Sequence, residues 1–375
     1  MSAPRRVLVI GGGFSGMSAA IELRKRGVDV DLVELDPAWR SYGAGISLGG
    51  ATLRAFRTLG ILDAFLTHGF ASDGVELHLP HGPIVSTVPT PRIAGPDVPG
   101  GGSIMRPVLA RILAEATRAA GAHVRLGCSF SALEPRGDGV DVRFSDGTEG
   151  RYDLVIGADG IHSAVRRAIA PEAPEPTYVG QSVWRAVMPR HPAINTVSMW
   201  LGPNVKPGLN PVSATEMYMF ITEPRPTKDR IDASEFVGRV KDLLAEFPDP
   251  ILREVREQLG PSSNIVFRPV ERLLLPRPWY RGRVVLIGDA AHATTPHLAS
   301  GACIGIEDAL VLAETLEQTT EIDHALDVWQ ERRWERCRMV VENSARLGEI
   351  EVNGGDKNEH AQIMRDSMIA LAQPL

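Results

Sequence analysis

Residues 6–34 constrain the fold more than any other stretch of the chain. Arg6–Ile10 is a short apolar run that reads as a buried strand. Gly11-Gly12-Gly13-Phe14-Ser15-Gly16 follows, with the G-x-G-x-x-G spacing. Met17–Arg26 then places Ala19, Ala20 and Leu23 on one helical face, and Val28–Leu35 reads as a second strand ending in Glu34. A strand, a glycine turn, a helix, a strand and then an acid about 20 residues on make up the dinucleotide-binding fingerprint. The glycines let the backbone turn tightly and approach a pyrophosphate, with Phe14 and Ser15 in the same turn. Glu34 is placed to accept hydrogen bonds from a ribose.

Two further strands end on acids. Leu154-Val155-Ile156-Gly157-Ala158 delivers Asp159 and Gly160, and a helix follows from Ser163. Val284–Ile287 is a continuous apolar run that stops on Gly288-Asp289. A small-residue linker leads to Pro296, which pushes Thr295 toward an extended backbone. A helix then begins near Ser300-Gly301, with Ile304, Ile306, Ala309, Leu310, Ala313 and Leu316 as its apolar face. The free N–H groups of Gly301 and Ala302 and the helix dipole favour a negative group or a developing anion. This stretch therefore offers a carboxylate for hydroxyl groups and, a few residues later, a seat for an electron-rich ring edge.

Composition narrows the function classes. A chain of 375 residues holds two or three domains and a sizeable core. Forty Lys and Arg against 46 Asp and Glu leave a net charge of -6, with no basic footprint for nucleic acid and no polybasic membrane patch. Cys128, Cys303 and Cys337 are an odd, scattered set that fits neither a disulfide framework nor a zinc site. The expectation is a cytoplasmic protein without a metal or a membrane span.

With its glycine turn, LVIGADGIHSAVRR at Leu154–Arg167 and the GDAAH stretch around Asp289, the chain resembles the single-component FAD-dependent aromatic hydroxylases, the p-hydroxybenzoate hydroxylase-like flavoprotein monooxygenases. The resemblance runs from Arg6 to about Arg346. It implies an α/β fold with an α+β second layer: a Rossmann-like FAD-binding domain (1–73, 101–176 and 269–375) and an inserted β-sheet substrate domain (74–100 and 177–268). It also implies that Arg40 and Gly45 lie beside the flavin, and that Arg106, in the family's R-x-x-L position, reaches the cofactor. Asp159 would serve the pyrophosphate side, Asp289 the ribityl hydroxyls, and Gly301 and Ala302 the flavin N1–O2 edge. In the family NAD(P)H reduces the flavin, O2 adds to give a C4a-hydroperoxide, and OH passes to an electron-rich ring.

Only one G-x-G-x-x-G is present, so NAD(P)H would bind transiently as a co-substrate. Phenol activation calls for a base near the substrate hydroxyl. His297, directly after Pro296 on the linker that faces the flavin in the family, is the candidate, because its ordinary pKa suits proton transfer near neutrality. Some relatives place a histidine two residues after the second glycine of the Gly43–Gly45 region; here that position is Ser47. Pro-His-x-Ala-x-Gly-Ala at 296–302 resembles the variant found in hydroxylases of hydroxypyridine carboxylates. It points to a small phenolic or hydroxypyridine-type acid.

Residues 177–268 read as a sheet with a helical cover. Thr177–Met188, Thr196–Leu201 and Glu216–Thr222 are strand-like, and Gly202–Pro211 reads as a loop. Glu216–Thr222 alternates, with Tyr218 and Phe220 on one face and Met217, Met219 and Ile221 on the other. Either face could line a pocket, and Tyr218 is a candidate substrate contact. Trp184 and Arg185 are candidates for a pocket or nicotinamide role. Two other functions suit this scaffold: oxidation or epoxidation of a larger natural-product intermediate, and flavin binding without turnover. A monomer or a homodimer is expected.

Overall fold

The computed structural model describes residues 4–41 and 43–375. The three motif strands lie side by side. Among the described residues, a six-stranded sheet runs in the order 280–281, 284–286, 154–157, 6–10, 29–34, 123–126. Its inner pairs are parallel: Val7 is level with Leu154 and Val30, and Val155 with Val284. All-parallel strands are buried on both faces, which is why these segments are continuous apolar runs rather than alternating ones. The consequence is geometric. Gly11, Asp159 and Gly288-Asp289 all leave the carboxyl edge of one sheet, where open α/β sheets bind their ligands.

The second layer is a seven-stranded sheet, in the order 265–272, 177–189, 216–224, 206–211, 197–200, 75–78, 84–88. Strands 75–78 and 84–88 thus join strands far away in the chain. The strand Ile265–Arg272 runs across position 268, so the sheet continues a little toward the first layer. Trp184, Ala186, Met217, Met219 and Ile221 bury one face of this sheet against Val240, Leu244, Leu252 and Val255 of the helices Phe236–Ala245 and Pro250–Gln258. The other face, with Tyr218 and Phe220, turns toward the first layer, where Tyr218 packs with Ala44 and Val212.

One element differs from the sequence reading. Lys206–Pro211 is a strand, paired on both sides, despite its two prolines and glycine. Its glycine is required there: a Cβ at Gly208 would sit 2.2 Å from the Phe220 ring. Pairing and close packing override the local loop preference. Ile84–Val88, inside a Pro/Gly-rich tract, is also a strand. The long helix Ile322–Asn353 is followed by a final helix, Lys357–Ala372. That last helix docks through polar contacts: Arg336 donates to the Ala370 carbonyl at 2.8 Å, Arg54 to that of Ala372 at 2.9 Å, and Asn343 to Ser367 at 2.9 Å. No described helix is long and apolar enough to cross a membrane. The three cysteines are free and buried.

Candidate active site

The glycine turn is shaped from both sides. Gly11 has φ +110°, and a Cβ on it would meet the Ala158 carbonyl oxygen at 2.4 Å. A Cβ on Gly16 would meet the Gly11 oxygen at 2.0 Å. Gly13 differs from both: no protein atom lies within 4 Å of where its Cβ would stand. It caps the helix Phe14–Lys25 without a side-chain hydrogen bond, so the first-turn N–H groups face open space. Glu34 accepts from the Gly12 N–H at 2.7 Å and from the Asp36 N–H at 2.8 Å, which ties the second strand to the turn. Trp39, which the sequence reading passed over, also holds it: its indole donates to the Gly12 carbonyl at 2.8 Å. The Ser15 hydroxyl lies where a Cβ on Gly288 (2.4 Å) or on Gly305 (2.3 Å) would be, so turn, strand end and helix meet only through glycines.

Asp289 leads a short helix, Asp289–His292. Its carboxylate is reachable by solvent, yet protein surrounds it so closely that burial pushes its pKa up, against the pull of His292 and Arg106. That combination describes the floor of a cleft. Among the described residues its carboxylate accepts no hydrogen bond. Arg106 begins the helix Arg106–Ala119 and lies over the Phe14 ring at 5.2 Å. Burial lowers its pKa, and Asp289 opposes that shift. The Gly288-Asp289 turn is held from behind. Asp308 accepts from the Gly288 N–H at 2.9 Å, lies 2.5 Å from His292 Nε2, and accepts from Arg333 Nε at 2.8 Å, all in the core. Burial works against the His292 charge, but Asp308 outweighs it and holds the imidazole well above its ordinary pKa.

The linker after it ends in a 3-10 turn, Pro296–Leu298, and Ala299 takes φ 49°, a left-handed conformation that costs about 1 kcal/mol for a residue with a side chain. The 18-residue helix Gly301–Gln318 starts there with no side-chain cap, because Ser300 Oγ donates instead to the Leu298 carbonyl at 2.7 Å. The amides of Gly301 and Ala302 are therefore open to a ligand.

Tyr218 is 4 % exposed and faces the loop that carries Gly45: a Cβ at Gly45 would overlap its ring at 2.0 Å. Its hydroxyl is 2.5 Å from Ser47 Oγ, and Asn210 Nδ2 donates to Ser47 at 2.6 Å and to Tyr218 at 2.7 Å. Asn210 was hidden in the stretch read as a loop; alternation over Lys206, Gly208 and Asn210 was its only signal.

The remaining expected site residues are each held by protein partners. Asp159 supports the start of the helix Ala164–Ile169, whose N-cap is Ser163: it accepts from Ser163 Oγ at 2.5 Å and from the N–H groups of Ala164 and Val165 at 2.7 and 3.0 Å. Arg40 pairs with Asp36 at 3.0 Å on the surface. The His297 side chain is 2 % exposed, with Nδ1 2.9 Å from Thr295 Oγ1 and Nε2 3.5 Å from Glu351. It packs on Gly348, where a Cβ would meet it at 2.7 Å, and burial lowers its pKa.

A bare carboxylate at a strand end, an open amide turn over Gly13, an uncapped helix start and Arg106 between them suit a group with hydroxyls, a pyrophosphate and an electron-rich ring edge. A family profile described as FAD binding domain matches residues 5–344. The chain belongs to that family, among the FAD-dependent aromatic hydroxylases. FAD is its cofactor, and the residues above fit it. This flavoprotein is 32 % identical over 375 residues to the aurachin C monooxygenase/isomerase of Stigmatella aurantiaca, covering 97 % of this chain and 94 % of the relative. Its fold matches the crystal structure of Klebsiella pneumoniae HpxO complexed with FAD and uric acid, with a TM-score of 0.82 and 26 % identity over 98 % of this chain and 93 % of that one. It also matches the tetrameric form of 2-methyl-3-hydroxypyridine-5-carboxylic acid oxygenase, with a TM-score of 0.79 and 25 % identity over 98 % and 97 % of the two chains.

Proposed function

We propose that this flavoprotein uses NAD(P)H and O2 to hydroxylate a small electron-rich aromatic acid, of the phenolic or hydroxypyridine type, in the cytoplasm. The observation that carries the reading is the triangle of Ser47, Tyr218 and Asn210 beside Gly45. Asn210 donates to both hydroxyl oxygens, so one hydroxyl proton bridges Ser47 and Tyr218 and the other has no acceptor among the described residues. That spare O–H suits a phenolate oxygen, and a phenolate is a better nucleophile than a phenol.

Bound FAD would supply the redox chemistry, hydride uptake from the nicotinamide and activation of O2, with one oxygen atom going to the ring and the other to water. The protein's own tasks are positional. Asp289 accepts from the ribityl hydroxyls. The Gly301 and Ala302 amides favour negative charge at the ring edge. The Gly13 turn and Arg106 serve the pyrophosphate side, and Pro296 shapes the linker beside the substrate. Tyr218 meets the substrate hydroxyl. His297, held by Thr295 behind that linker, acts as a positioning residue for Pro296 in this reading. NAD(P)H binds in passing, which agrees with a single G-x-G-x-x-G.

A second reading draws on the aurachin C relative: oxidation of a larger natural-product intermediate on the same scaffold. One experiment separates them. FAD-loaded protein is mixed with NADH or NADPH and with hydroxybenzoates, hydroxypyridine acids or polycyclic phenols, and nicotinamide oxidation and peroxide are followed together. The proposal expects fast oxidation with a small acid and little peroxide. Stimulation by polycyclic compounds alone favours the second reading, and no stimulation by any ligand contradicts both.

A further inference from the structure

Glu351 lies in the last turn of the long helix Ile322–Asn353 and meets three other elements. Its Oε1 accepts from Lys206 Nζ at 2.5 Å and lies 3.1 Å from His360 Nε2, and its Oε2 lies 3.5 Å from His297 Nε2. Lys206 opens the strand Lys206–Pro211 of the second sheet. His360 stands in the first turn of the final helix, and His297 in the turn Pro296–Leu298 that ends the linker. The cluster runs inward from solvent: His360 is 30 % exposed and His297 2 %, with Lys206 and Glu351 half-buried between them. Burial works against the charge on Glu351, but Lys206 outweighs it and, with His297 and His360, holds the carboxyl well below its ordinary pKa.

The cluster joins two parts of the site. On one side, Gly348 and Glu351 share a helix face, and the His297 ring stands on Gly348, where a Cβ would meet it at 2.7 Å. Thr294 of the same linker donates to the Val340 carbonyl of that helix at 3.4 Å. With the Thr295 hydroxyl 2.9 Å from Nδ1 and donating to it, a neutral imidazole carries its proton on Nε2, facing the carboxylate. Without Glu351 that buried N–H would have no acceptor. On the other side, Lys206, Gly208 and Asn210 alternate onto one face of the sheet, level with Thr222, Phe220 and Tyr218. Glu351 therefore sets the spacing between the linker that carries Pro296 and the strand that carries Asn210. The exposed pair of Arg346 and Glu359, 2.7 Å apart, joins only the two terminal helices.

We propose that Glu351 is a positioning residue for the reaction: its carboxylate clamps the Pro296 linker to the substrate sheet, so that the two keep one spacing around the substrate and exclude water. This rests on the aromatic-hydroxylase reading above, in which Pro296 lies beside the substrate.

The test combines a readout without turnover and one with it. The Ala299 amide is bonded to the Pro296 carbonyl at 2.9 Å, so its hydrogen exchange reports opening of the turn. In FAD-loaded Glu351→Gln, the peptide that holds Ala299 should exchange about tenfold faster than in wild type, the effect of losing a hydrogen bond to a charged group. With an aromatic acid that wild type hydroxylates, the share of nicotinamide oxidation that ends as peroxide should rise about twofold or more as water enters. Lys206→Met, which breaks the tie to the sheet alone, should raise the peroxide share as well. FAD content should stay at the wild-type level, because the clamp touches none of the residues assigned to the cofactor. Arg346→Ala, which removes the exposed pair between the same two helices, should move neither readout. Unchanged exchange in Glu351→Gln, an equal rise in Arg346→Ala, or a peroxide share that stays at the wild-type level in both clamp variants would overturn the proposal. Faster exchange in Glu351→Gln, with a wild type that hydroxylates no acid, would defeat the hydroxylase reading and leave the clamp standing.

Discussion

The Tyr218 and Ser47 hydroxyl oxygens lie 2.5 Å apart across the junction of the two layers, one on a strand of the second sheet and the other on the loop strand Gly45–Gly49. The contact makes Tyr218 the test of the substrate site. Tyr218→Phe removes one hydroxyl and leaves the ring packed. Loss of a hydrogen bond to a charged oxygen, worth about 1.5–3 kcal/mol, should lower kcat/KM for the aromatic substrate roughly ten- to a hundredfold. FAD content, read from the visible spectrum, should not change.

Gly45 tests the same junction from the other side. Gly45→Ala puts a methyl 2.0 Å from a Tyr218 ring atom, so the ring or the loop must move. Overpacking of this kind costs about 1–3 kcal/mol. The variant should melt at a lower temperature and show a raised KM, and a Tm and KM equal to wild type would contradict the packing described.

Gly13 separates folding from cofactor binding. A side chain there meets no protein atom within 4 Å, and its backbone is extended at φ -75° and ψ -178°. Gly13→Val should therefore leave the FAD-free protein within about 0.5 kcal/mol of wild type in denaturant unfolding. It should nonetheless purify colourless, because the added side chain stands where the pyrophosphate approaches.

Asp289 should act on FAD affinity. Its carboxylate accepts no hydrogen bond from the described residues, so its removal breaks no hydrogen bond in the apo-protein. Asp289→Ala should weaken FAD binding about tenfold or more, the worth of one or two charge-assisted hydrogen bonds. Equilibrium titration of the apo-protein with FAD measures it.

The pair behind the turn gives a pH dependence. His292 has its pKa raised above 6.5 in the fold, chiefly by Asp308, once burial is overcome. Its stabilising contribution is present in full below its unfolded pKa and is lost as pH rises through the raised value. Asp308 is lowered, to about 2, so its contribution persists above its unfolded value and is lost only in strong acid. The Tm difference between wild type and His292→Gln should be largest near pH 6 and shrink toward alkaline pH. A difference that grows with pH would contradict the assignment.

The parts legible in the sequence were those where one local rule acts alone. Continuous apolar strands ending on Gly11, Asp159 and Asp289 announced a parallel sheet and its ligand edge, and the small residues at Gly301 announced an open helix start. What escaped was set by partners distant in sequence. Lys206–Pro211 is a strand because two neighbours pair with it, and its glycine answers the Phe220 ring. Asn210 became a site residue only through that pairing. The alternation over Tyr218 and Phe220 was visible, but which face met the first layer depended on the helices that cover Met217 and Met219. His297 shows another long-range effect: the absent side chain of Gly348 gives its ring room against the long helix.

The most direct test of the central claim is an isotope experiment. FAD-loaded protein, NAD(P)H and the acids that stimulate its oxidation are incubated under oxygen-18 gas, and products are weighed by mass spectrometry. The account predicts a product whose ring carries one oxygen from the gas, formed in step with nicotinamide oxidation. Peroxide as the sole product with every acid, or a ring oxygen that comes from water, would contradict it.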